Sequence, residues 1–123
     1  MGQRVPLIAS LDDEEKFRLA LTRLLKAHGY EVVTFATGEE LVAAITLRRF
    51  DCVLLDLYMP GMTGFEVLSA LQGNPASPPV IVITAHDDAG VVKRALALNA
   101  FECQQKPVKA PRLLDSIERA LAR

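Results

Sequence analysis

Five short apolar segments alternate with longer stretches of helical periodicity along this chain, and no other feature constrains the fold as strongly. Strand–helix alternation of this kind predicts a parallel sheet covered by helices on both faces, which is the α/β class. Residues 54–55 and 80–83 show no polar alternation, as expected of strands buried on both sides. Periodicity alone leaves the order of the strands open. The predicted strands are residues 5–11, 31–35, 51–55, 79–84 and 101–105.

Local signals support these divisions between strands and helices. Thr37 and Glu40 have the spacing of a capping box at a helix start, and Thr63 and Glu66 repeat it. Gly29 stands where the first helix should end.

Composition limits the class of protein. The 123 residues are half hydrophobic and 24% charged, which indicates one globular domain over residues 1–123. The formal charge of −1 provides no basic surface for direct nucleic-acid binding. The first apolar segment is too short to cross a membrane and runs into four acids, so we expect a cytoplasmic protein. Cys52 and Cys103 are too few for a disulfide scaffold and are interpreted as small buried hydrophobes.

Polar side chains stand at the carboxyl ends of four of the predicted strands. In a parallel sheet those ends share one edge, where open α/β sheets bind their ligands. Each position alone is compatible with a strand that simply reaches water, but together they predict a site. The residues are Asp12 and Asp13 after the first strand, Asp56 after the third, Thr84 in the fourth and Lys106 after the fifth.

The charges predict what this site binds. Two carboxylates about 5 Å apart repel by roughly 3 kcal/mol at an effective dielectric constant near 20, so three of them require a cation. Lys106 supplies one positive charge, and hard oxygen ligands suit a divalent cation such as Mg²⁺. A solvated acidic rim at the start of the first helix explains Glu14 and Glu15. It does not explain why Asp56 and Lys106 should share the edge.

Four short segments, in their order along the chain, resemble the receiver domain of response regulators. The resemblance implies a doubly wound (βα)5 flavodoxin-like sandwich with a five-stranded parallel sheet of order 2-1-3-4-5. That order places a whole strand between Cys52 and Cys103, too far for a disulfide. The four segments are residues 11–14 (LDDE), 55–64 (LDLYMPGMTG), 82–86 (VITAH) and 106–107 (KP).

The resemblance also implies a role for each site residue. Asp56 would accept a phosphoryl group from a phosphohistidine on a sensor histidine kinase or phosphotransfer protein, while Thr84 and Lys106 would contact its oxygens. The chain would catalyse only its own phosphorylation and dephosphorylation, and in that sense it is not an enzyme. Similarity to the family further implies a cis Lys106–Pro107 bond. The Tyr58 ring is expected over the mouth of the site, with an ordinary exposed aromatic as the alternative. The implied Mg²⁺ ligands are Asp13, Asp56, the Tyr58 carbonyl and, through water, Asp12.

Three positions depart from the family pattern. Cys103 replaces the usual aromatic residue three positions before the lysine, Gln104 an aliphatic residue and Asn99 a glycine. Phe101, expected on the same strand face as Cys103, is a candidate replacement for the aromatic. We therefore expect phosphoryl acceptance with an atypical switch on the face of the fourth helix, fifth strand and fifth helix, which is also a possible homodimer face. His86 is interpreted as a loop residue.

Three alternatives are weighed against this interpretation. A non-phosphorylated pseudo-receiver, acting as an interaction module, predicts a missing acceptor residue, and none is missing. An aspartate-nucleophile phosphatase would carry a second acid where Tyr58 stands. A flavin mononucleotide binder needs a hydroxyl- and glycine-rich loop after the first strand, where residues 12–14 would repel the phosphate.

Overall fold

The computed structural model describes residues 4–85 and 89–123, and within them strands and helices alternate throughout. His86 lies outside the described residues. The strands are β1 (Leu7–Leu11), β2 (Glu31–Phe35), β3 (Cys52–Leu55), β4 (Val80–Thr84) and β5 (Glu102–Gln105). The helices are α1 (Glu15–Ala27), α2 (Gly38–Leu47), α3 (Gly64–Gln72), α4 (Ala89–Ala97) and α5 (Ala110–Leu121).

The five strands of the described residues pair in parallel in the order β2-β1-β3-β4-β5. β1 lies between β2 and β3, with Ile8 opposite both Val32 and Cys52. β4 joins β3 to the edge strand β5, where Thr84 pairs with Gln105. The α/β class and the strand order 2-1-3-4-5 are confirmed.

Helices cover both faces of the sheet and enclose two separate core clusters. β1, β3 and β4 are buried along their whole length, in agreement with their uninterrupted apolar sequences. One cluster includes Leu41 of α2, Leu68 of α3 and Ala95 of α4. The other includes Leu25 of α1 and Ile117 of α5. The carboxyl edge of the sheet therefore opens between two packed layers.

The two predicted capping boxes have different outcomes. At α3 the box is complete: Glu66 N donates to Thr63 Oγ1 at 3.2 Å, and Thr63 N donates to Glu66 Oε1 at 2.9 Å. At α2, Glu40 N donates to Thr37 Oγ1, but the Glu40 carboxylate accepts from the Thr37 hydroxyl instead of the backbone. The second box is thus only half formed. Gly29 follows α1 with a φ of +89°, as its predicted place at a helix end requires.

The two cysteines lie on β3 and β5 as free thiols, with β4 between them. Cys52 is fully buried, and burial raises the pKa of its thiol to about 12. Cys103 is only half-buried, so the prediction of a buried residue is wrong at that position. Burial also raises the pKa of Cys103.

Phe101 does not replace the missing aromatic, and the prediction that it shares a face with Cys103 is wrong. Cys103 packs against the cluster beneath α2, α3 and α4. Phe101 packs against the α1–α5 cluster, and the guanidinium groups of Arg119 and Arg123 lie over its ring. β5 begins only at Glu102, so the alternation of side chains along a strand does not extend back to Phe101.

Within residues 4–85 and 89–123, each helix is too short or too polar to cross a membrane.

Candidate functional site

Three carboxylates meet where β1 and β3 end. Asp12 and Asp13 follow β1 directly, and the Asp56 amide after β3 donates to Leu11 O at 3.0 Å, which fixes the two strand ends side by side. One oxygen from each acid lies within 4.8 Å of the others. Asp12 and Asp56 are 2% and 6% exposed, whereas Asp13 is open to solvent.

Lys106 brings a positive charge to these acids from the end of β5. Its Nζ lies 2.8 Å from Asp12 Oδ2 and 4.0 Å from Asp56 Oδ2. The Lys106 amide donates to Thr84 O at 2.8 Å, so the backbone joins the ends of β4 and β5. The Lys106–Pro107 peptide is cis, as the resemblance implies.

Thr84 and Tyr58 complete the set of predicted site residues. Thr84 ends β4 and is 2% exposed. The Tyr58 amide lies 3.4 Å from Asp56 Oδ1. Its ring is 43% exposed and stands edge-on to Phe65 of α3, with 6.0 Å between the ring centroids. The ring contact is therefore made with α3, and a role for Tyr58 over the site stays a prediction.

Two glycines shape the loop between β3 and α3. A Cβ at Gly64 would lie 2.6 Å from Asp56 O and from Leu57 Cα, so the start of α3 packs directly on the backbone that carries the acid. Gly61 has a φ of +78°, which a glycine after Pro60 allows in a tight turn.

The start of α1 supports the site through contacts that the sequence patterns did not predict. The Glu14 amide donates to Asp12 Oδ1 at 2.8 Å, and Arg18 Nη1 donates to the Asp12 carbonyl at 2.7 Å. Phe17 lies under Lys106, whose Nζ is 4.2 Å from the centroid of the ring. Sequence patterns give no signal for this role of Phe17, because its contact with Lys106 depends on the tertiary fold.

The electrostatics of the cluster favour bound positive charge. Burial raises the pKa of Asp56 to about 6, Lys106 opposes the shift, and Asp12 adds to it. Three carboxylates against one ammonium leave excess negative charge, and all the side-chain donors are hard oxygens. These residues fit a divalent cation of the Mg²⁺ type.

Comparison with known proteins gives one consistent result. The family model described as the response regulator receiver domain matches residues 8–118. The C4-dicarboxylate transport transcriptional regulatory protein DctR of Rhodobacter capsulatus is 36% identical over 114 residues, which cover 91% of this chain and 58% of that protein. The transcriptional regulatory protein FixJ of Bradyrhizobium diazoefficiens is 31% identical over 111 residues, or 90% of this chain and 54% of FixJ.

Solved structures agree with these matches. The chemotaxis protein CheY4 of Vibrio cholerae superposes with a TM-score of 0.89 at 29% identity, covering 96% of this chain and 100% of CheY4. FixJ-N superposes with a TM-score of 0.90 at 30% identity, covering 98% and 97% of the two chains. The chain spans 58% or less of the length of the curated relatives named here, so it corresponds to part of each of them.

Proposed function

The chain belongs to the response-regulator receiver family of two-component systems, and on that premise we propose that Asp56 is its phosphoacceptor. The phosphoryl group would come from a phosphohistidine on a sensor histidine kinase or a phosphotransfer protein. The observation that carries the proposal is the meeting of Asp12, Asp13 and Asp56 within 4.8 Å, with the Lys106 ammonium 4.0 Å from Asp56.

In the proposed step, an Asp56 carboxylate oxygen attacks the phosphorus atom. The new O–P bond forms as the P–N bond breaks, and the imidazole of the donor leaves with the electron pair and takes up a proton from solvent. An acid with a pKa of about 6 is mostly ionised at pH 7 and is therefore available as the nucleophile. Lys106 and the Thr84 hydroxyl, at the ends of β5 and β4, would contact the phosphoryl oxygens, and charge neutralisation there is the main requirement of phosphoryl transfer.

We further propose a Mg²⁺ site in the same cluster. Asp13, Asp56 and the Tyr58 carbonyl would hold the ion directly, and Asp12, which is already paired with Lys106, would hold it through water. When bound, the ion supplies positive charge to the phosphoryl oxygens. Without the ion, Lys106 is the cation nearest the cluster among the described residues. Its single positive charge is too little to neutralise three acids.

The proposed output is a shift in the conformation of the face formed by α4, β5 and α5, which is also the proposed homodimer face. Half-buried Cys103 stands on the α4 side of β5, where family members carry an aromatic residue, so a smaller side chain would have to follow any movement of Thr84. Amide shifts recorded with and without beryllofluoride test this part of the proposal. Unchanged amide chemical shifts along α4 and β5 would contradict the proposed conformational shift.

The phosphoacceptor proposal is tested by incubation with acetyl phosphate and Mg²⁺, followed by intact mass measurement. The unaltered chain should gain one phosphoryl group, and Asp56→Asn should gain none. Asp115→Asn, which changes a solvent-exposed acid on α5, is the matched control and should retain the gain. An unaltered chain that stays unmodified would instead favour the pseudo-receiver, an interaction module without phosphorylation.

A further inference from the structure

We propose that Phe17 is a positioning residue for Lys106, and that the face of its ring orients the ammonium for phosphoryl transfer. The inference rests on the proposed function of Asp56 and adds a residue to it. Phe17 is the third residue of α1, and the Lys106 Nζ lies 4.2 Å from the centroid of its ring.

The position of Phe17 in α1 is fixed by the site itself. α1 begins three residues after Asp12, and the residue after Phe17, Arg18, donates from Nη1 to the Asp12 carbonyl at 2.7 Å. The first turn of the helix is therefore tied to the acid that also pairs with Lys106 at 2.8 Å. Ring, ammonium and carboxylate form one connected set.

A lysine needs such support because its ammonium ends a flexible four-carbon chain. The two carboxylates do not hold Lys106 evenly, because its Nζ lies 2.8 Å from Asp12 Oδ2 and 4.0 Å from Asp56 Oδ2. An aromatic face attracts a cation, but it has no acceptor atom and no net charge. It can hold the ammonium near the cluster without competing for the hydrogen bonds that a phosphoryl oxygen would accept.

The surroundings of the ring strengthen this attraction. Phe17 lies in a groove between α1 and the start of α5, lined mainly by apolar residues that include Leu21, Leu24 and Val108. The Lys106 side chain is 20% exposed. Cation–π contacts are stronger where the cation is partly removed from water, as it is here. A leucine at position 17 would still fill the groove but would offer no ring.

Two substitutions distinguish the effect of the aromatic ring from the effect of side-chain volume. Phe17→Leu keeps an apolar side chain in the groove and removes the aromatic face, whereas Phe17→Tyr keeps the face. Phe101→Leu is the matched control, because it removes a ring that lies beneath Arg119 and Arg123 at the carboxyl end of α5, whereas Lys106 lies near the start of that helix.

The first measurement is the NMR spectrum of the metal-free protein, which requires no phosphorylation. The Lys106 ε-methylene protons should be shifted upfield by the ring current in the unaltered chain, in Phe17→Tyr and in Phe101→Leu. In Phe17→Leu they should return to the ordinary lysine position. Unshifted protons in the unaltered chain would overturn the inference even if Phe17→Leu failed to fold.

The second measurement is the rate of phosphorylation by acetyl phosphate. Phe17→Leu should lower the rate constant roughly three- to tenfold without changing the half-saturating donor concentration, and Phe17→Tyr should restore it. An unchanged rate in Phe17→Leu, or a loss that Phe17→Tyr does not restore, would overturn the inference. If the unaltered chain itself accepts no phosphoryl group, the proposed function fails, while the spectrum still reports on the contact.

Discussion

Asp56 is a buried ionisable side chain: it is 6% exposed and lies beside two other acids. Because water is scarce there, its charged form is less favourable than in the unfolded chain, and burial is the largest cause of its raised pKa. The residue proposed to react is thus one that weakens the fold.

The substitution Asp56→Asn measures how much the buried charge lowers the free energy of unfolding. The pKa of Asp56 is about 6 in the folded chain against an ordinary value of 3.8, so the folded state holds this proton more tightly. The contribution of Asp56 to stability therefore improves as pH falls from 7 through 6 towards 4. Without Mg²⁺, Asp56→Asn should raise the free energy of unfolding by roughly 1–3 kcal/mol at pH 7 and by much less at pH 4.5.

Urea unfolding in a chelator at the two pH values measures this difference. Asp115→Asn on the exposed face of α5 is the control and should show no comparable gain. A gain in Asp56→Asn that is the same at both pH values would contradict the burial of charge as its cause.

Gly64 provides a second prediction at the residue scale. Gly64→Ala would place a Cβ 2.6 Å from two backbone atoms of the β3–α3 loop, which cannot rotate away as a flexible side chain does. We expect a loss of roughly 2 kcal/mol or more in the free energy of unfolding. Gly73→Ala is the control, since its Cβ meets no atom within 4 Å and its φ of −82° suits alanine. Equal stability of the two variants would contradict the close contact.

β5 and α5 are joined by a polar network. The buried Gln104 amide nitrogen donates to Ser116 Oγ at 2.6 Å and to Glu102 Oε2 at 3.1 Å. Ser116 also donates to Glu102, and Arg119 Nη2 donates to Glu102 Oε1 at 2.7 Å. Burial alone would raise the pKa of Glu102, but these hydrogen bonds hold it below its ordinary value. The glutamine at an aliphatic position is therefore accommodated by partners on α5.

This network predicts strong coupling between the two elements. Ser116→Ala should lower the free energy of unfolding by about 1–3 kcal/mol, because it leaves the buried Gln104 amide without its closest partner. Combining it with Gln104→Val should cost less than the sum of the two single losses, since both sides of the Gln104–Ser116 contact then become apolar while Arg119 still pairs with Glu102. Thr46→Ala, at an exposed helix hydroxyl, is the control. Strictly additive losses in urea unfolding would contradict the coupling.

The elements also show how far sequence patterns extend. Strand positions were predicted to within two residues, because long apolar segments leave few alternatives. The largest difference is at β1, which starts at Leu7 and leaves Val5 half exposed. Strand order was not available from periodicity and came from the resemblance. The prediction that Phe101 and Cys103 share a strand face was wrong because β5 begins at Glu102, one residue after Phe101. Phe17 was missed as a site residue because only the tertiary fold brings α1 to Lys106.

Over the whole molecule, the parallel sheet gathers the charged residues at one edge. The helices in the described part of the chain pack the two faces, so the carboxyl ends of β1, β3, β4 and β5 form the opening between two cores. Four segments far apart in the chain thus contribute to one cluster. Any ligand bound there connects β1 with β3 and should stabilise the domain as a unit.

Binding of Mg²⁺ should therefore raise the melting temperature at pH 7. The gain follows the logarithm of ion concentration above the dissociation constant, and it should shrink below pH 6 as Asp56 takes up its proton. Asp13→Asn should weaken the effect, because it removes a ligand that is open to solvent. Sodium chloride at equal ionic strength is the control. A rise of equal size with sodium chloride would indicate screening of charge instead of a site.

The different burial of the two thiols makes them natural labels for separate motions. Cys103, half-buried on the edge strand, should react with a maleimide in the folded chain, so a fluorophore there would follow the surface between α4 and β5. Cys52, enclosed in β3 with a thiol pKa of about 12, should react only when the sheet opens. One alkylation time course would then record a local movement and a global one, with no cysteine introduced or removed.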